Sequence, residues 1–127
     1  NYFVGKPVNT RIRRILRATV NSAQGLGHAF KNEAAIRQEL ALTDMLAPIA
    51  IWLGRDAIEK ALLIAVLMFA LVVELLNSAV EAAIDRHGDE HHELSGAAKD
   101  LGSAAVMVSL AIVVLVWSSV IYDRFYA

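Results

Sequence analysis

The chain has 127 residues, 57% of them hydrophobic and 20% charged, with a formal net charge of −1 and no cysteine. That length suits one domain, and a mean hydropathy of +0.48 points to a small integral membrane protein rather than a soluble one. The composition excludes a disulfide framework, a thiolate nucleophile and a zinc–sulfur site, and the charge balance gives no net pull toward nucleic acid.

In chain order, residues 1–9 lack a basic region followed directly by an apolar one, so no cleaved signal peptide is expected. An amphipathic stretch follows, predicted as a surface helix over 9–31. Ile12, Ile15, Leu16, Val20, Ala23, Leu26 and Phe30 recur at helical spacing, while Arg13, Arg14, Arg17, Asn21, Gln24, His28 and Lys31 occupy other faces. A basic face beside an apolar one suits a helix lying in the membrane interface.

Three apolar spans come next, predicted as transmembrane helices over 34–53, 57–84 and 101–122. The first is the shortest on apolar content and carries Asp44 and Pro48; only when extended back through Ala34, Ala35 and Ile36 is it long enough to cross. Gly54-Arg55-Asp56 reads as a tight turn with Gly54 as the helix stop. The third span contains an uncharged run from Ala104 to Tyr122, about the 20 residues a bilayer core requires. The expected fold class is all-α: three transmembrane helices plus an amino-terminal amphipathic surface helix. Seven of the twelve basic residues precede the first apolar segment, which by the positive-inside rule sets the amino terminus in the cytoplasm, and three spans then leave the carboxy terminus outside.

The second span carries the chemistry. Thirteen apolar residues, 61–73, lead into Glu74, Asn77, Ser78, Glu81 and Asp85. These fall at i, i+3, i+4, i+7 and i+11, one polar stripe along one helix face. A carboxylate near hydrocarbon costs roughly 2.5–3.5 kcal/mol on insertion scales, so two of them one heptad apart indicate a site facing protein or water. An inter-helical polar clamp is the rival explanation. Glu33, Glu39, Lys99 and Asp100 cluster where spans meet the cytoplasm, and hard oxygen donors there suit Mg²⁺ completed by phosphate. Lys99 suits phosphate oxygens as a point charge. The adjacent His91-His92 pair points to different helix faces and reads as a solvated link rather than a metal site. The sequence holds no GxxxxGK[ST] loop and no GxGxxG after a strand.

Three segments resemble the small prokaryotic diacylglycerol kinases: NEAAIRQE (32–39), VELLNSAVEAAID (73–85) and HELSGAAKDLGSAAV (92–106). The resemblance implies a homotrimeric helical bundle with active sites between subunits. It implies transfer of the ATP γ-phosphoryl to the hydroxyl of diacylglycerol, giving phosphatidic acid in the bacterial inner membrane. Position by position, Glu74 matches the family's catalytic base, while Glu33 and Glu81 match the holders of Mg²⁺ and, through it, ATP. Arg14, Asn21, Glu90, His91, His92, Lys99 and Asp100 match nucleotide-contacting positions, with Asn77 a polar partner. Ala29, Phe30, Glu39 and Ser103 fall in lipid-substrate regions. The amino-terminal segment departs from the pattern, with Asn21 and Ala23 where aromatic residues are expected. Undecaprenol phosphorylation and a non-catalytic scaffold are the alternative functions.

Overall fold

The computed structural model describes residues 6–86 and 93–127. Four helices account for nearly all of them: α1 (Lys6–Asn32), α2 (Ala34–Leu53), α3 (Ala57–Asp85) and α4 (Glu93–Tyr126). The chain divides into two units, 1–33 and 34–127.

In the first unit, α1 is a 27-residue amphipathic helix. Its small polar side chains are satisfied on its own backbone: Thr19 Oγ1 donates to the Ile15 carbonyl and Ser22 Oγ to that of Ala18, both at 2.8 Å. Asn32 Nδ2 donates to the His28 carbonyl at 2.9 Å, and the Glu33 amide donates to the Ala29 carbonyl at 2.8 Å, which secures the last turn. Ile12, Ile15, Leu16, Val20, Leu26 and Phe30 all stand exposed. An exposed apolar stripe of that length is the signature of a surface that something apolar covers.

In the second unit, α4 packs chiefly along α3, and α2 packs chiefly on α3 with little contact to α4. Two helices, α3 and α4, are long and apolar enough to cross a membrane, with hydropathies of 2.4 and 2.5. α4 runs well beyond the apolar run at both ends, because Glu93, Lys99, Asp100 and Asp123 extend the helix without extending its lipid-facing length. A core of Ala50, Leu53, Leu63 and Val120, backed by Ile64, Val116 and Trp117, gathers near the α2–α3 turn.

The polar chemistry at that end joins both neighbouring turns and distant helices. Asp56 caps α3, its Oδ1 accepting the Glu59 amide at 2.8 Å, and Glu59 Oε2 accepts the Arg55 amide at 3.3 Å. Gly54 is required by close approach: a Cβ there would meet Lys60 Cγ at 2.5 Å and the Lys60 nitrogen at 2.8 Å. Arg124 Nη1 donates to the Leu53 carbonyl at 2.9 Å, one of the orphan acceptors at the end of α2. The same guanidinium lies 5.2 Å from the Trp52 ring centroid. Arg55 pairs with Asp123, and Trp117 Nε1 donates to the Leu63 carbonyl at 3.2 Å. These contacts fasten all three helices at one end and leave the chemistry-bearing residues at the other.

Candidate functional site

The polar stripe of α3 is half-buried at Glu74, Asn77 and Glu81 and exposed at Asp85. One helical rise per residue puts Glu74 about 10 Å along the axis from Glu81, toward the fastened end. Asn77 bridges the interval, its Nδ2 donating to Glu81 Oε1 at 3.4 Å.

Two neighbouring helices complete the surroundings. From α2, Glu39 comes near enough to Glu74 for the two carboxylates to act on each other's charge. Glu39 Oε2 is buried, and among the described residues it has no hydrogen-bond partner. Glu39 also stands at the rim of a crevice of about 90 Å³ where α2, α3 and α4 meet, walled by Leu42, Leu46, Leu67, Leu110 and Val113. A carboxylate at the rim of an apolar crevice suits an amphiphile that presents a hydroxyl and buries a chain.

From α4, Lys99 Nζ donates to Asp85 Oδ1 at 2.8 Å. This bond, reinforced by the Asp85 charge, holds the ammonium above the ordinary lysine range. The pair is exposed and adds little to stability. It fixes where the cation sits while leaving the other ammonium protons to other acceptors. Sequence reasoning put Asp85 on the stripe without giving it this role; the signal was its position one turn beyond Glu81. Gly102 of α4 was likewise missed. A Cβ there would run into Asn77 Oδ1 and approach Asn77 Cγ at 3.3 Å.

The remaining expected site residues fall elsewhere in the chain. Asp100 and Ser103 are exposed on the first turns of α4. Glu90, His91 and His92 lie outside the described residues. In the amino-terminal unit Arg14 and Asn21 are exposed, Glu33 is half-buried, Ala29 is buried and Phe30 is exposed. Arg14 lines a shallow basic groove with Thr10, Arg13 and Arg17. Among the described residues no three His, Asp or Glu side chains converge as a metal cage.

Comparison with known proteins decides the family. The model of the prokaryotic diacylglycerol kinase family matches residues 20–121. The chain belongs to that family. It is similar to the diacylglycerol kinase of Escherichia coli K12, 47% identical over 116 residues that cover 91% of this chain and 95% of the relative. The Haemophilus influenzae diacylglycerol kinase is 46% identical over 113 residues, covering 89% and 96%. That of Pseudomonas aeruginosa is 47% identical over 112 residues, covering 88% and 91%. For a diacylglycerol kinase family, the two long apolar helices and the acidic stripe along one of them belong together.

Proposed function

We propose that this chain transfers the γ-phosphoryl group of ATP to the hydroxyl of diacylglycerol, forming phosphatidic acid and ADP at the cytoplasmic face of the bacterial inner membrane. The observation that carries this reading is the order of groups along α3: Glu74 within reach of the charge of Glu39, which rims the apolar crevice, then Asn77 bonded to Glu81, then the exposed Asp85–Lys99 pair. A lipid hydroxyl approaches from the Glu74 end, near the crevice that Glu39 rims, and a polyphosphate from the exposed Asp85–Lys99 end.

Glu74 accepts the proton of the hydroxyl as its oxygen forms a bond to the γ-phosphorus and the bond to the ADP oxygen breaks. Phosphoryl transfer depends mainly on positioning and charge neutralisation, so a carboxylate base and fixed cations are sufficient protein equipment. Lys99, located by Asp85, meets phosphate oxygens. Asn77 holds Glu81 in place. Half-buried carboxylates such as Glu81 suit Mg²⁺, which takes one or two carboxylates and completes its shell with water and substrate phosphate. Glu81 and, by family resemblance, Glu33 would hold it; bound there it would offset phosphate charge. Arg14, Asn21, Asp100 and the 90–92 segment are assigned to the nucleotide, and Ala29, Phe30, Glu39 and Ser103 to the lipid, on the same resemblance.

The assembly that goes with this reading is a homotrimer of three-span subunits, with α2 crossing beside α3 and α4, the amino terminus cytoplasmic and the carboxy terminus periplasmic. The exposed apolar stripe of α1 supports a place for that helix in the interface. The test is transfer of labelled γ-phosphate from ATP to a short-chain diacylglycerol in mixed micelles, with undecaprenol in parallel. Label in phosphatidic acid is expected. Label in undecaprenyl phosphate alone would redirect the substrate, and no lipid-dependent transfer would leave the scaffold function standing.

A further inference from the structure

We infer that Gly102 is a positioning residue for the metal-holding carboxylate, acting through Asn77. Gly102 lies on α4, on the opposite side of the α3–α4 seam from the acidic stripe. A side chain there would occupy the space of the Asn77 amide, meeting Oδ1 first and Cγ at 3.3 Å. Glycine inside a helix weakens it relative to alanine, so its presence in mid-α4 has to be set against some gain elsewhere. Gly96, on the same helix, has no atom within 4 Å of its Cβ position, so close approach is particular to Gly102.

What Gly102 admits is the end of an amide. Asn77 Oδ1 is buried with no hydrogen-bond partner among the described residues, while Nδ2 reaches Glu81 Oε1 at 3.4 Å. A buried amide oxygen without a partner is a costly rotamer to hold. On α3 the amide is tied through Nδ2 to Glu81, and from α4 the notch at Gly102 receives the oxygen and so keeps the nitrogen turned toward Glu81. The atom that a new methyl group would displace is the far end of a short flexible side chain, not backbone. Alanine at 102 therefore leaves the helix pair standing and rotates the amide away from Glu81. The residue never touches substrate; it fixes the orientation of a group that does.

This inference rests on Glu81 as a metal ligand, and the experiment separates the two claims. In full-length Gly102→Ala, the Mg²⁺ concentration for half-maximal lipid phosphorylation is expected to rise on the order of tenfold, the scale on which partners that orient metal ligands act. Turnover at saturating Mg²⁺ should fall much less. In an Asn77→Ala background, Gly102→Ala should add nothing, because the displaced group is already gone. The side-chain amide resonance of Asn77 should move in Gly102→Ala by heteronuclear NMR. An unmoved resonance overturns the inference, as does an unchanged Mg²⁺ requirement in a protein whose Glu81→Gln variant shows a raised one. If Glu81→Gln itself responds normally to Mg²⁺, the metal assignment falls while the resonance still judges the notch. Should Gly102→Ala fail to fold, recovery of the fold in Asn77→Ala/Gly102→Ala upholds the inference, and failure of both overturns it.

Discussion

Replacing Glu74 by Gln separates catalysis from stability, because the two are expected to respond differently. Glu74 is half-buried and shares its surroundings with the Glu39 carboxylate. Gln keeps the volume and a hydrogen-bonding oxygen, loses the charge, and removes the repulsion from Glu39. The hypothesis that Glu74 is the general base predicts a loss of turnover of about 10²–10⁴-fold. That corresponds to about 2.7–5.5 kcal/mol of transition-state stabilisation. Any drop in stability should stay within about 1 kcal/mol, the net worth of one ordinary hydrogen bond, and relief of like-charge repulsion works in the opposite direction. The assay is phosphate transfer to diacylglycerol in detergent micelles, read beside thermal unfolding and nucleotide binding of the same preparation. A folded, nucleotide-binding, inactive variant is the expected result. Near-normal turnover would refute the base assignment. Unfolding together with inactivity would show Glu74 to be the inter-helical clamp that its polar stripe also suits.

The hypothesis that Glu81 and Glu33 hold the metal predicts that Glu81→Gln and Glu33→Gln each raise the Mg²⁺ requirement for activity without changing oligomeric state by cross-linking; wild-type activity at low Mg²⁺ would count against it. The interfacial placement of α1, motivated by its exposed Ile12, Ile15, Leu16 and Val20, predicts a shallow helical periodicity of lipid exposure in spin labels from 12 to 30. Uniform water exposure along that stretch would remove α1 from the interface.

How much was legible before the fold was known follows from which interactions have a period. The stripe of Glu74, Asn77, Glu81 and Asp85 is one helix face, and a periodicity of 3.6 residues reveals a face without reference to any neighbour. The amphipathic character of α1 was readable for the same reason. The start of α4 was harder, since hydropathy marks where a helix meets lipid and not where it begins; residues 93–100 ahead of the predicted span are helical but interrupted by Glu93, Ser95, Lys99 and Asp100. The Lys99–Asp85 pair and the Gly102–Asn77 notch depend on the rotational setting of α4 against α3. In the run LGSAAV a glycine looks like any small residue of a packed helix, and only the facing side chain distinguishes it. The proximity of Glu39 to Glu74 likewise needs two helices in register, which no single-strand pattern contains.

The turn between α2 and α3 bears on how the chain reaches the bilayer at all. Pro48 has no amide proton, so the carbonyl of Asp44 loses its helical donor at the same level where the Asp44 carboxylate is exposed. A translocating segment with both defects is a poor substrate for insertion on its own. The following three residues, however, form a closed joint: Gly54 is too crowded for any side chain, and Asp56 starts α3 at once. The expected consequence is that α2 partitions into the membrane as one arm of a hairpin whose other arm supplies the hydrophobicity. Glycosylation-site mapping should find α2 inserted when synthesised with α3 and passing through when fused alone, and efficient solitary insertion would discard the idea. On that account the joint at Gly54 does its work during biosynthesis as well as in the finished protein.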